Sequence, residues 1–125
     1  GAGSALHAVG DALDFLRQPF EAATVQPVMA FRLDDLVPLL GLPRPTRIKL
    51  DVDGFEDKVL RGAERVLTEG WCELVVELVE PDASDTHTEQ VVQYVRSLGF
   101  AEFSETERRE PGTFPRARDV FFRRT

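Results

Sequence analysis

The sequence predicts an α/β fold whose sheet is open and mostly parallel, with an antiparallel C-terminal strand. Three observations predict it. Arg47–Val52 alternates, with Ile48, Leu50 and Val52 on one side and Lys49 and Asp51 on the other, as a strand does. Cys72–Val79 is a near-continuous apolar run, the pattern of a strand buried on both faces of a parallel sheet. Between and after these strands lie stretches with helical spacing, and strand–helix alternation builds parallel units with right-handed crossovers.

The elements follow in order. Ser4–Leu16 carries Ala5, Leu6, Ala8, Val9, Ala12, Leu13 and Leu16 on a helical stripe, ended by Pro19. Gln26–Leu33 reads as a short extended segment. Asp34 or Asp35 then caps a brief helix over Leu36–Leu40, with Gly41 as its stop. Pro38 fits that helix only in its first turn. Pro43 and Pro45 stiffen the connector to the first clear strand.

Asp53-Gly54 makes a turn into a helix over Phe55–Leu67, with Phe55, Val59, Ala63, Val66 and Leu67 at helical spacing. Gly70 closes that unit, and Trp71 beside it reads as a core plug. Pro81 opens a loop, and Thr86-His87-Thr88-Glu89 has the form of a capping box. Val91, Tyr94, Val95 and Leu98 make a helical stripe stopped by Gly99. Phe100–Phe103 is a third strand, and a polar segment with Pro111, Gly112 and Pro115 leads to a fourth, Val120–Arg123. No helix separates these last two strands, so they pair antiparallel.

A chain of 125 residues suits a single domain, 1–125, with residues 1–27 an N-terminal helix and connector. Its 42% hydrophobic and 30% charged residues are ordinary for a globular chain. With 15 basic against 22 acidic residues and a net charge of −7, it is a poor general binder of nucleic acid or anionic membrane. The arginine-rich end, with Arg116, Arg118, Arg123 and Arg124, reads as a solvated face and tail. No apolar stretch is long enough to span a bilayer and no signal peptide is visible. Cys72 is alone, so no intrachain disulfide forms, and no Cys or His cluster provides a zinc site. The expectation is a cytoplasmic setting and no metal.

Ligands of open α/β sheets bind at the carboxyl ends of the strands. There Asp51, Asp53 and Glu56 fall within Asp51-Val52-Asp53-Gly54-Phe55-Glu56, and Glu77 lies near the end of the next strand. Carboxylates converging on one rim repel unless a cation, a hydroxyl or a basic group meets them. Asp53 and Glu56 are also spaced as a capping box, which alone would explain both. Asp51 sits inside an apolar strand near the sheet centre and is harder to explain structurally. Glu77 is the lesser candidate, because buried strands also carry paired carboxylates, and Lys49 is an available neutralising partner. His87 occupies a helix start and reads as a surface residue, while the role of His7 is open.

Leu50-Asp51-Val52-Asp53-Gly54 superficially matches the Asp-x-Asp-Gly-Thr strand end of haloacid dehalogenase-like phosphatases, with Phe55 in place of the threonine. A fuller match exists. The chain reads Leu33-Asp34-Asp35-Leu36, then Ile48-Lys49-Leu50-Asp51-Val52-Asp53-Gly54-Phe55-Glu56-Asp57-Lys58-Val59-Leu60-Arg61-Gly62-Ala63, then Val76-Glu77-Leu78 and Leu98-Gly99-Phe100. These four pieces, in this order, resemble the FkbM family of S-adenosylmethionine-dependent methyltransferases from about Val28 onward.

The resemblance implies a partial Rossmann-like class I methyltransferase sheet and O-methylation of a hydroxyl on a small molecule or sugar. It places Asp51, Asp53 and Glu56 at the strand rim and Glu77 at the next strand end, where one carboxylate could orient or deprotonate the acceptor. It implies S-adenosylmethionine as cofactor, but the family's glycine-rich binding loop and ribose-binding acid are not in this sequence. The expectation is therefore a C-terminal portion with no activity of its own. The Arg47–Val52 edge would then be open to an N-terminal half, a partner chain or a second copy, or be covered by the first helix. A non-catalytic interaction module and a phosphatase-type aspartate site are the alternatives.

Overall fold

The computed structural model describes residues 10–107 and 112–125. Its elements are α1 (Leu33–Leu39), β1 (Arg47–Leu50), α2 (Glu56–Arg61), α3 (Glu64–Thr68), β2 (Glu73–Glu80), α4 (His87–Ser97), β3 (Phe100–Glu107) and β4 (Arg116–Arg124). The four strands form one sheet in the order β1-β2-β4-β3. β1 and β2 are parallel, and β4 runs antiparallel to both β2 and β3. Three strands therefore point one way and the last, inserted between β2 and β3, points the other. The fold is a mixed α/β sheet with the antiparallel C-terminal strand expected from the sequence, but it is not mostly parallel, because that strand's insertion leaves β1–β2 the one parallel pairing among the described strands.

Alternation within the strands explains the core. Leu74, Val76 and Leu78 of β2 face the same side as Leu50 of β1 and Val120 and Phe122 of β4. Against them pack Leu60, Ala63, Leu67, Val91, Val92 and Val95 from the helices. Burying each large aliphatic or aromatic side chain is worth about 1.5–3 kcal/mol. The opposite side of the sheet is less covered. Val75, Val79 and Phe121 are half-buried there, so the apolar run of β2 does not reflect full burial on both faces. Phe103 meets Phe121 edge-on at 6.2 Å, and Arg123 lies over the Phe103 ring.

Several sequence expectations need correction. The part of the expected Ser4–Leu16 helix within the described residues is not helical, and its start, His7 included, lies outside them. Gly10 has a φ of 80°, Arg17 a φ of 61°, and the Asp14 carboxylate accepts the N–H groups of Leu16 and Gln18. These local bonds fold the chain back so that Leu13 bridges Pro19. The segment around Gln26–Leu33 forms no strand.

The brief helix expected over Leu36–Leu40 runs instead over Leu33–Leu39, with Arg32 as its N-cap, so neither Asp34 nor Asp35 caps it. Pro38 lies in its last turn rather than its first. That proline cannot donate to the Asp34 carbonyl, and the Arg65 guanidinium does so at 2.7 Å.

The single helix expected over Phe55–Leu67 is two, α2 and α3, broken at Gly62-Ala63. Asp34 causes and holds the break. Its N–H donates to the Gly62 carbonyl at 2.9 Å, and its carboxylate accepts the N–H groups of Arg65 and Val66 at 3.0 and 2.9 Å. The carboxylate is the cap of α3, supplied from another helix.

β1 ends at Leu50, before Asp51 and Val52, and is an edge strand with β2 as its only hydrogen-bonded neighbour among the described strands. Asp51 is therefore an exposed residue beyond the strand, not one inside it at the sheet centre. Trp71 is 58% exposed rather than a core plug, because Cys72 takes the buried position beside it. The final strand begins at Arg116, so the expected solvated arginines belong to a strand: Arg116 and Arg118 pair with Glu80, Glu105 and Glu107. Pro111 lies outside the described residues. No helix among the described residues is long and apolar enough to cross a membrane.

Two outcomes follow. Asp34→Ala should cost about 2 kcal/mol or more in urea unfolding, since it strips a buried cap and leaves two N–H groups unpaired. Trp71, the single tryptophan, should emit at solvent-exposed wavelengths and be quenched by iodide in the native state.

Candidate functional site

The site is built at the carboxyl end of β1. After Leu50 the chain passes through Asp51 and Val52 into a tight turn in which Asp53 and Gly54 have φ of 49° and 95°. Aspartate tolerates this left-handed conformation better than most residues. Gly54 is required by its φ, and a Cβ there would in addition press on Cγ of Arg17 at 3.2 Å.

The expected Asp53–Glu56 capping box is absent. The N-cap of α2 is Phe55, with no side-chain bond, and Glu56 is the first helical residue. Glu56 nevertheless reaches back: its Oε1 accepts the Gly54 N–H at 3.0 Å. Its Oε2 lies 3.1 Å from Nε2 of His87. A carboxylate only accepts, so Nε2 carries the proton. His87 is thus a partly buried partner of a buried acid, not the surface residue the sequence suggested, and Glu56 is committed to two structural bonds.

The start of α4 is held from outside the helix as well. The expected Thr86–Glu89 capping box does not form, since Thr86 makes no capping bond. Asp85 Oδ2 instead accepts the Thr88 N–H at 3.1 Å. Asp85 Oδ1 pairs with Arg17, whose other terminal nitrogen donates to the Val79 carbonyl at 3.3 Å. Arg17 had no sequence signal as a site residue, because its partners Val79 and Asp85 lie more than sixty positions away along the chain.

Of the four carboxylates expected at the rim, three converge. Asp51, Asp53 and Glu77 each place one oxygen within 4.8 Å of the others. Glu77 is buried, whereas the two aspartates are exposed. Lys49 is an ion-pair partner of Asp51, at 3.4 Å. Glu56 lies behind this group, turned to His87.

The electrostatics divide the carboxylates in two. Burial, then the charges of Asp51, Glu56 and Asp14, push the Asp53 carboxyl above its ordinary value. Burial also pushes Glu56 upward, but the His87 bond and the Gly54 and Glu56 N–H groups, helped by the charge of His87, outweigh it and hold Glu56 below its ordinary value.

Two spaces adjoin the rim. One is small and partly open, about 10 Å³ for the centre of a water-sized sphere, with Glu56, Glu77, His87 and Thr88 in its wall. The other is an open cleft of about 730 Å³ between the 11–17 loop, the 30–33 segment and α2, walled by Leu13, Phe31, Val52, Phe55 and Val59 among others. Asp53 borders both, and Asp51 borders the cleft.

A mixed α/β sheet with an inserted antiparallel strand thus carries a carboxylate rim at a strand end beside an open cleft. The family model of the methyltransferase FkbM domain matches residues 1–101, and the chain belongs to that family. The match includes the first 27 residues and stops just inside β3. No curated protein and no solved structure matches the chain.

The depressed Glu56 acid gives a pH prediction. Its native form binds fewer protons than the unfolded one, so its contribution is present above the ordinary value of 4.5 and is lost as pH falls through the lower native value. Glu56→Gln should cost about 2 kcal/mol in denaturant unfolding at neutral pH. The gap to wild type should close on acidification, once the native acid is protonated.

Proposed function

We propose that this chain provides the acceptor-side half of an S-adenosylmethionine-dependent O-methyltransferase acting on a hydroxyl of a small molecule or sugar. The observation that carries this reading is the placement of Asp51 and Asp53 at the mouth of the cleft, at the carboxyl end of β1, in a chain of the FkbM family. An acceptor hydroxyl entering the cleft would donate to one of these carboxylates, which orients it and draws its proton. The raised Asp53 suits proton acceptance better than an ordinary aspartate would. Glu56 serves as a positioning residue, because both its oxygens are occupied by Gly54 and His87. Glu77 borders the rim from β2.

The strand order supports a partial class I methyltransferase sheet of Rossmann-like kind, in which the outer edge of β1 would take a further strand from the same fold or a second copy. The β1–α2 turn is a poor seat for the cofactor. Two N–H groups of the β1–α2 turn are already taken, that of Gly54 by Glu56 and that of Phe55 by the Val52 carbonyl. The turn adds carboxylates where a glycine-rich turn would present N–H groups.

Calorimetric titration of the 125-residue chain with S-adenosylmethionine should therefore show no saturable binding at micromolar cofactor, and radiolabelled cofactor should transfer no methyl group. Amide shifts of Asp51–Phe55 should respond to hydroxylated ligands and be lost in Asp51→Asn/Asp53→Asn. Micromolar cofactor binding, or hydroxylated ligands that leave those amides unmoved, would refute the reading.

A further inference from the structure

We propose that Asp51, Asp53 and Glu77 form a binding site for a hard divalent cation of the magnesium, manganese or calcium class, at the wall between the small cavity and the open cleft. This inference stands independently of methyl transfer. The first observation is the geometry. Three carboxylate oxygens, from the end of β1, the turn after it and the middle of β2, lie within 4.8 Å of one another. Oxygens ligating calcium, the largest of these ions, sit at about 2.3–2.6 Å from it, so about 5 Å is the widest separation across a shared ion, and the smaller ions draw the oxygens closer. All three pairs meet that limit.

The donor chemistry is equally selective. Only oxygens converge, which suits hard cations rather than zinc or copper. The nearby imidazole of His87 is turned to Glu56.

The second observation is Thr88. It is 3% exposed, lines the small cavity together with Asp53 and Glu77, and its Oγ1 has no hydrogen-bond partner. A buried hydroxyl with no partner costs about 1–3 kcal/mol. The cavity has room for about one water. A water on the ion, placed in this space, would donate to or accept from Thr88, so one ligand set accounts for both the clustered acids and the orphaned hydroxyl. The remaining positions of the ion open onto the cleft beside Asp51.

Lys49 provides an internal control. Its ammonium neutralises Asp51 at 3.4 Å, on the exposed side of the group, and competes with an added cation.

The test is titration of the 125-residue chain with manganese chloride at neutral pH, read by the loss of the free-ion paramagnetic resonance signal and by calorimetry. One ion should bind per chain. Asp51→Asn, an exposed change that leaves the fold intact by circular dichroism, should weaken binding about a hundredfold, and Thr88→Val about tenfold. Lys49→Gln should tighten it, and Glu69→Gln, on the distant Arg44 pair, should change nothing. Absence of saturation at millimolar manganese, or wild-type affinity in Asp51→Asn or in Thr88→Val, overturns the proposal.

Discussion

The two hydrogen bonds of the Glu56 carboxylate organise the functional end of this molecule. One oxygen holds the β1–α2 turn through Gly54, and the other holds the start of α4 through His87. Nothing else in the turn could do both. Asp53 and Gly54 occupy left-handed backbone, and the turn has a single backbone bond of its own, from Phe55 to Val52. Because Glu56 fixes the turn against a helix, Asp53, though exposed, keeps a carboxylate oxygen within 4.8 Å of one from Glu77 on β2. The rim is therefore a consequence of a buried acid that does not belong to it.

The same device recurs on the other side of the helical layer. Asp34, buried in α1, replaces the local cap that α3 lacks, and its backbone carbonyl is bonded by Arg65 where Pro38 cannot donate. At α3 a helix of five residues, too short to be stable by propensity, is stabilised by a carboxylate from outside it. Short helices with borrowed caps permit sharp changes of direction, which is how two helices and a turn fit between adjacent parallel strands.

Most of the strand–helix order was legible because it rests on periodicity. Ile48 and Leu50, the run from Leu74 to Val79, and the stripe Val91, Tyr94, Val95 and Leu98 each carry their own signal. Asp51, Asp53 and Glu77 were legible as a rim because strand ends are where such sheets place ligands. The rest depended on distant partners. His87 looked superficial because its acid lies 31 positions earlier. The break at Gly62-Ala63 was hidden because the apolar spacing continues across it while its cause, Asp34, sits in another helix. The loop from Gly10 to Phe20 misled for the opposite reason: its apolar residues have helical spacing, but Asp14 bonds the backbone locally and turns the chain first. Spacing reports which residues are apolar together, not which polar group diverts the backbone.

The insertion of β4 between β2 and β3 also has a kinetic side. β2 and β3 are made first, and neither can pair with the other in the finished order. β3 meets β4 as the next strand along the chain, but β2 keeps an unsatisfied edge until that strand, separated from it by all of α4 and β3, arrives. Closure of such a long loop is slow compared with local helix formation. The arginines of β4, complementary to Glu80, Glu105 and Glu107 on its two neighbours, give the late strand a charge-guided register from both sides at once. The alternation of acid and base across this part of the sheet thus acts as an assembly code as well as a set of finished contacts.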